Sequence, residues 1–131
     1  MRAAAEAAMA NAYCAYSGFR VGAAVLCENG EIFGGCNVED ASYGLTMCAE
    51  RNAIFQAVAK GALSKERKLK AVVVVTPTET STAPCGACRQ VIHEFGPDAD
   101  IFLCGTGAAV QQFNLSDLLP HAFGPKDLEE K

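Results

Sequence analysis

The sequence is short of positive charge and of long apolar stretches, and each shortage excludes a class of protein. Its 131 residues include 11 Lys and Arg against 15 Asp and Glu, a formal net charge of −4. This balance argues against RNA or DNA as a partner, because nucleic-acid-binding proteins usually present clustered basic residues to the phosphates. No segment is long enough to cross a bilayer, and the alanine-rich start lacks the pattern of a signal peptide. We therefore expect a cytoplasmic protein with no membrane partner.

Histidine is also scarce, with two residues, whereas cysteine is abundant, with seven. An odd number of cysteines in a protein expected in a reducing compartment favours metal binding or catalysis over a disulfide framework. Three of the cysteines share one sequence pattern, described below. The other four are isolated, and we interpret them as small buried hydrophobic residues: Cys14, Cys27, Cys36 and Cys104.

The hydrophobic pattern predicts a single domain over residues 1–131, since the chain is long enough for one core and shows no repeat or linker. Asn29-Gly30 lies between two apolar runs, which is a strong hairpin signal, so the flanking strands should pair antiparallel. In chain order the predicted elements are a helix within Met1–Ala15, strands at Val21–Cys27 and Glu31–Cys36, a helix at Thr46–Lys60, a strand at Ala71–Val75, a helix at Pro84–Phe95, strands at Asp100–Cys104 and Ala109–Phe113, and a helical turn at Leu115–Leu119 capped by Asn114 or Ser116.

This order of elements predicts an α/β fold. Strand–helix–strand units imply parallel neighbouring strands, and the β-branched run at Ala71–Val75 is typical of a strand buried on both faces. The simplest assembly is a three-layer α/β/α sandwich with a mixed five-stranded sheet. Its two central helices would begin near the carboxyl ends of strands, where open α/β sheets bind their ligands.

Three cysteines lie at the starts of these two central helices. The sequence there reads Cys48-Ala49-Glu50 and Pro84-Cys85-Gly86-Ala87-Cys88. The spacing of Cys85 and Cys88 puts both thiols on one helical face, and Cys48 approaches from the neighbouring helix. Three thiolates supply three ligands of a tetrahedral zinc site. The partial positive charge of a helix N-terminus also favours the thiolate form that binds metal.

The fourth position of this predicted site has no evident protein ligand. No second pair of cysteines or histidines accompanies the cluster, and His93 and His121 are not placed as a ligand pair. An open position is the mark of a catalytic zinc site, whereas a structural site is closed by four protein ligands. Two other interpretations are a redox dithiol at Cys85 and Cys88 and a non-enzymatic zinc-binding module.

Glu50 and Arg51 are the candidates for acting beside the metal. Residues two apart do not share a helical face, so Glu50 is a poor fourth ligand after Cys48. Its side chain can instead reach the open side of the site and transfer protons between water and substrate. Arg51 can offset the negative charge of the thiolates by hydrogen-bonding a ligand sulfur. Cys-Ala-Glu together with Pro-Cys-x-x-Cys matches the signature of zinc-dependent hydrolytic deaminases.

Over nearly its whole length the sequence resembles the small homotetrameric cytidine deaminases. The likeness is carried by the zinc motifs and by residues 11–13, 16–24, 35–43, 84–90 and 118–124. It implies a cytidine deaminase-like fold with one Zn²⁺ per subunit. It also implies hydrolysis of cytidine and deoxycytidine to uridine and deoxyuridine plus ammonia. The expected partner is therefore a small pyrimidine nucleoside.

The resemblance further implies how the substrate is held. Asn37 and Glu39 match residues that bind the ribose hydroxyls, a role that suits an amide and a carboxylate. Phe19 matches an aromatic residue that lines the base pocket. Ala49 matches a position whose backbone contacts the pyrimidine.

The resemblance also implies a homotetramer with active sites shared between subunits. Tyr43 and Phe123 match aromatic residues that complete a neighbouring subunit's site. Three positions depart from the family pattern close to the expected pocket, the first being Gly18, which is small. Arg20 stands where proline is common, and His121 replaces a residue that is typically small.

Two related deaminases are alternatives. A deaminase of a nucleoside analogue, such as blasticidin S deaminase, shares both zinc motifs, but residues 16–24 and 37–43 favour cytidine deaminase. A polynucleotide-editing deaminase is disfavoured by the acidic charge balance, because phosphate contacts need clustered Lys and Arg.

Overall fold

The architecture is an α/β sandwich built on one five-stranded sheet. It is seen in a computed structural model that describes residues 1–129. In chain order the elements are α1 (Arg2–Met9), β1 (Gly22–Cys27), β2 (Ile32–Cys36), a 3₁₀ turn (Tyr43–Leu45), α2 (Ala49–Ala59), β3 (Leu69–Val75), α3 (Gly86–Phe95), β4 (Asp100–Cys104), β5 (Val110–Asn114), α4 (Leu115–Leu118) and α5 (Pro125–Glu129).

The sheet has the strand order β2-β1-β3-β4-β5 and is mixed, as predicted. β1 and β2 form the antiparallel hairpin that Asn29-Gly30 indicates, with Gly30 at a φ of +92°. β3 and β4 are parallel neighbours. β2 and β3 run in the same direction but are not neighbours, because β1 lies between them and pairs antiparallel with both. The expectation of a parallel neighbour is therefore wrong for this unit.

Both faces of the sheet are covered, which gives the three predicted layers. β3 shows the two cores best, because its side chains alternate between them. Val72 and Val74 pack into the larger core with residues of α2, α3 and α4. Val73 and Val75 pack into the smaller core, against α1. All residues of β3 from Ala71 to Val75 are buried, as the β-branched run predicts.

Helix α2 begins three residues later than predicted and α3 two residues later, and one short helix was not predicted. α1 spans Arg2–Met9, within the predicted range, and after it the backbone of Tyr13 pairs with Asn37 and Glu39. α2 begins at Ala49, since Met47 is in extended conformation and pairs with Val38. Helix α5 was not predicted; it starts with a proline at its first position.

The isolated cysteines divide into two groups. Cys27 and Cys104 are buried, as expected, whereas Cys14 and Cys36 are half-buried. The prediction is wrong for the latter two because Cys14 lies in the loop after α1 and Cys36 ends an edge strand. All seven cysteines are free thiols.

Gly35 sets how closely α2 approaches the sheet. A Cβ atom at this position would lie 2.5 Å from the amide nitrogen of Ala53 and 2.6 Å from the carbonyl oxygen of Ala49. Only glycine lets the backbones of β2 and α2 come this close. The start of α2, with Cys48 and Glu50, is thereby fixed against the hairpin.

Candidate metal centre

The three predicted cysteines converge at the starts of two helices. Cys48 is the N-cap residue of α2, and Cys85 is the N-cap residue of α3. Cys88 lies in the first turn of α3, and its backbone N–H donates to Cys85 Sγ at 3.5 Å. The sulfur atoms of Cys48 and Cys85 are 3.8 Å apart, and all three sulfurs lie within 4.8 Å of one another. This spacing lets one ion contact all three.

Because the thiols lie close together, the pKa values of Cys48 and Cys88 shift in opposite directions. The pKa of Cys48 falls to about 5, mainly because the Cys88 thiol hydrogen-bonds to it and also because Arg51 lies beside it. The pKa of Cys88 is raised, chiefly by the same hydrogen bond and then by burial. Three sulfurs this close cannot all carry negative charge without a compensating cation. Such a set suits Zn²⁺, which binds thiolates directly.

No fourth protein ligand accompanies these sulfurs within residues 1–129. The cluster of potential metal ligands contains Cys48, Cys85 and Cys88 and no His, Asp or Glu. Glu50 is not part of this cluster. The donor set therefore fits a zinc site with one position open to a small ligand.

Glu50 lies in the first turn of α2 and is almost completely buried, with 4% of its surface exposed. Burial is the main reason why the pKa of its carboxyl group is raised, and the nearby charge of Cys48 raises it further. A carboxyl group whose pKa is raised in this way can hold a proton and release it closer to neutral pH. That is the property required of a group that carries a proton between two partners.

Arg51 contacts the centre from the side. Its Nη2 donates to Cys48 Sγ at 3.4 Å, the type of contact that the sequence predicts. Its Nε is buried and has no hydrogen-bond partner in the described part of the chain. The guanidinium group therefore places positive charge next to a sulfur that is readily ionised.

A cavity of about 210 Å³ adjoins the thiols. Its wall includes Cys48, Ala49, Glu50 and Cys85, together with Asn37, which directly follows β2. Its remaining wall is formed mainly by apolar side chains and threonines: Val21, Thr46, Met47, Val74, Thr76, Thr82 and Ala83. The structure thus brings five of the predicted site residues, and Cys88 behind them, to one place.

Glu39 and Tyr43 line a second cavity, of about 320 Å³, together with Tyr16, Ser17 and Asp40. Thr46 belongs to the walls of both cavities, so the two adjoin. The carboxylate of Glu39 accepts hydrogen bonds from the backbone N–H groups of Tyr16 and Ser17 at 3.0 and 2.9 Å, and another from the Ser17 hydroxyl. The hydrogen bonds from Ser17 are the main reason why the pKa of Glu39 is lowered.

Phe19 and Phe123 line neither of these two cavities. Phe19 is 37% exposed, and Val21, two residues further along the chain, contributes to the wall of the smaller cavity. Phe123 is 59% exposed, and its carbonyl oxygen accepts from Gln90 Nε2 at 2.8 Å. Phe123 lies two residues after His121. The φ angle of His121 is +54°, a backbone conformation that residues other than glycine rarely adopt.

The structure adds residues that the sequence did not single out. Ser17 holds the carboxylate of Glu39, and Thr46 lines both cavities. Val21 forms part of the wall beside Asn37. No local signal marks these residues, since their roles depend on contacts between segments that are distant in sequence.

Comparison with known proteins gives a consistent result. Residues 1–104 match the family model described as the cytidine and deoxycytidylate deaminase zinc-binding region. A cytidine deaminase of Halalkalibacterium halodurans is 44% identical over 120 residues, which are 91% of this chain and 88% of the relative. One of Sporosarcina psychrophila is 46% identical over 118 residues, or 89% and 84% of the two chains.

A solved structure agrees as well. The crystal structure of cytidine deaminase from Burkholderia pseudomallei has a TM-score of 0.86 and 48% sequence identity, and the match covers 92% of this chain and 94% of that one. The predicted fold class and the predicted zinc cofactor are thereby confirmed. Within residues 1–129, no helix has the length and apolar character needed to cross a membrane.

Proposed function

Since this chain belongs to the cytidine and deoxycytidylate deaminase family, we propose that it hydrolyses cytidine and deoxycytidine to uridine and deoxyuridine, releasing ammonia. The observation that carries the proposal is the cluster of three sulfurs within 4.8 Å of one another, with buried Glu50 in the wall of the adjoining cavity. Cys48, Cys85 and Cys88 would hold one Zn²⁺ per subunit. When bound, Zn²⁺ supplies the acidity that lets water act as a nucleophile near neutral pH.

Glu50 performs the proton transfers. It takes a proton from the attacking water and donates it to N3 of the cytosine ring, which makes C4 more electrophilic. The water oxygen then forms a bond to C4. Glu50 next takes the remaining proton from the new C4 hydroxyl group and passes it to the amine at C4; the C4–N bond breaks as the C4 carbonyl forms, and ammonia leaves. Burial favours this role, because the raised pKa of Glu50 lets the carboxyl group keep a proton between the two transfers.

Asn37, Glu39, Ala49 and Phe19 form the proposed substrate site. Asn37 and Glu39 bind the ribose hydroxyls, the backbone of Ala49 contacts the pyrimidine, and Phe19 flanks the base. Ala49 and Asn37 share the cavity with Glu50, which supports their part in the proposal. Asn37 and Glu39 already make internal hydrogen bonds, but an amide and a carboxylate have further donor and acceptor positions for hydroxyl groups.

The proposed assembly is a cytoplasmic homotetramer in which Tyr43 and Phe123 complete a neighbouring subunit's site. Both side chains are strongly exposed in the single chain, at 76% and 59%. Free thiols at all seven cysteines suit a reducing compartment. Light scattering would test the assembly: a particle with the mass of four chains is expected, and a monomer at assay concentration would contradict it.

The activity is tested by assaying ammonia release from cytidine, deoxycytidine and blasticidin S in parallel, with and without a zinc chelator. We expect equal amounts of ammonia and uridine from cytidine, and loss of release after chelation. Turnover of blasticidin S alone would favour the analogue deaminase. Absence of chelator-sensitive release from any of the three compounds would overturn the proposed function. Binding to single-stranded RNA or DNA is measured alongside and is not expected.

Arg51 is proposed to offset the charge of the thiolates, since its Nη2 lies 3.4 Å from Cys48 Sγ. Changing Arg51 to alanine is expected to lower zinc affinity and turnover by about tenfold, because hydrogen-bonding partners of metal ligands typically contribute 10–100-fold. Competition with a chromogenic chelator measures the affinity. Arg89→Ala is the matched control, since Arg89 also lies in the first turns of a central helix but donates to the carbonyl oxygens of Pro84 and Leu118. An Arg51→Ala protein with unchanged zinc affinity and activity would rule out this role.

A further inference from the structure

The buried side chain of Asn37 holds the loop of residues 19–21 beside the cavity. The amide group of Asn37 bridges the two residues that flank Arg20. Its Nδ2 donates to the carbonyl oxygen of Phe19 at 2.8 Å, and its Oδ1 accepts from the backbone N–H of Val21 at 2.9 Å. Asn37 is 8% exposed and lines the cavity next to Val21. The position of its amide group is therefore coupled to the path of residues 19–21.

The side chain of Arg20 attaches the same loop to the residues that follow α1. Its Nη1 donates to the carbonyl oxygens of Ala10 and Ala12, both at 3.1 Å. Ala10 and Ala12 lie just after Met9, the last residue of α1. At the C-terminal end of a helix, carbonyl groups lack partners within the helix. A cation is favourable at this end of a helix. The side chain of Arg20 thus ties the end of α1 to the loop whose two neighbouring peptides are held by Asn37.

The end of α1 is also attached to the segment that follows β2. The backbone N–H of Tyr13 donates to the carbonyl oxygen of Asn37 at 3.0 Å, and the N–H of Glu39 donates to the carbonyl oxygen of Tyr13 at 2.8 Å. Three segments, residues 10–13, 19–21 and 37–39, are therefore joined pairwise. Arg20 makes the side-chain link between the first two of these segments, and Asn37 makes the link between the last two.

We propose that Arg20 is a positioning residue for substrate binding, which acts by fixing Val21 and the amide group of Asn37 at the cavity wall. It does not itself line the cavity. The proposal rests on the proposed function, because it concerns the same nucleoside site. Without the guanidinium group, residues 19–21 would keep their hydrogen bonds to Ser17 and Asn37 but lose their attachment to the end of α1, so Val21 and the amide of Asn37 would be held less firmly.

The kinetic test compares Arg20→Ala, Arg20→Lys and the unchanged protein with cytidine as substrate. In Arg20→Ala we expect KM to rise about fivefold to tenfold, with kcat within about twofold, because the lost contacts serve binding and not the chemical step. Arg20→Lys should recover much of the affinity, since an ammonium group can donate to both carbonyl oxygens. Arg67→Ala is the matched control: Arg67 Nη1 donates to the carbonyl oxygen of Gly61 at 2.8 Å, and Arg67 lines neither cavity.

A second measurement is independent of activity. Hydrogen exchange of the Val21 amide, which donates to Asn37, should be faster in Arg20→Ala than in the unchanged protein and in Arg67→Ala. Unchanged exchange at Val21 would overturn the inference, even if the unchanged protein proves inactive on cytidine and the proposed function fails. An unchanged KM in an active Arg20→Ala protein would also overturn it. So would an equal rise of KM in Arg67→Ala, because that result would indicate a general loss of stability.

Discussion

Changing Glu50 to glutamine is expected to remove turnover while zinc stays bound. Glutamine has nearly the same shape as glutamate but cannot take a proton from water or return it to the ring. General acid–base catalysis contributes about 10²–10⁴-fold to rate, and Glu50 is proposed to act in more than one transfer. We therefore expect kcat to fall by at least about 10³-fold. Ammonia release measures the turnover, and elemental analysis measures the zinc content.

The structure indicates that this variant will fold. Glu50 is buried with a raised pKa, so its ionised form carries a cost of desolvation that neutral glutamine avoids. The melting temperature is thus expected not to fall. Glu94→Gln is the matched control, since Glu94 is an exposed carboxylate near the end of α3. A Glu50→Gln protein that keeps a tenth of the original turnover would contradict the role assigned to Glu50.

The features that the sequence predicts well are those set by neighbouring residues. Asn29-Gly30 predicts the hairpin because the turn needs only a residue that accepts positive φ, which Gly30 provides. The run from Ala71 to Val75 predicts a buried strand because β-branched residues suit such a strand. The three thiols come together for a related reason, since each lies at a helix start and the sheet brings those two starts together.

The features that the sequence predicts poorly depend on contacts between distant segments. The spacing of apolar residues extends the helix of residues 46–60 back to Thr46, but Met47 pairs with Val38, and α2 begins only at Ala49. Tyr13, which follows α1, pairs with Asn37 and Glu39, a contact that no local pattern indicates. Met47 and Asn37, which take part in these pairings, line the cavity beside the thiols, so the local pattern locates the metal ligands better than it locates the pocket around them.

Asn37 and Glu39 show most clearly which structural roles the local sequence does not predict. Local sequence makes Asn37 a turn residue, and only the family resemblance suggests that it binds ribose. In the fold, its amide bridges Phe19 and Val21, while Glu39 holds Tyr16 and Ser17. Each of these hydrogen bonds joins residues that are between 16 and 23 positions apart. Side chains that are proposed to bind the substrate therefore also fold the loop that borders the site.

Changing Cys85 to serine is expected to release the metal without unfolding the helix that carries it. Cys85 is the N-cap residue of α3, and its sulfur accepts from the backbone N–H of Cys88. Serine is among the best N-cap residues, so its hydroxyl group can take over this hydrogen bond. It cannot replace the thiolate as a zinc ligand at neutral pH, because a hydroxyl group keeps its proton far more strongly than a thiol does.

The expected loss of zinc affinity in Cys85→Ser is at least about 100-fold, since merely changing a group that hydrogen-bonds to a metal ligand costs 10–100-fold. Turnover should fall with zinc content. The circular dichroism spectrum of Cys85→Ser should be close to that of the unchanged protein from which zinc has been removed. Cys14→Ser is the matched control, because Cys14 is a half-buried free thiol outside the cluster. A Cys85→Ser protein that keeps one zinc per chain in the presence of a competing chelator would show that Cys85 is not a ligand. Loss of zinc from Cys14→Ser as well would indicate that the metal depends on general stability and not on these three sulfurs.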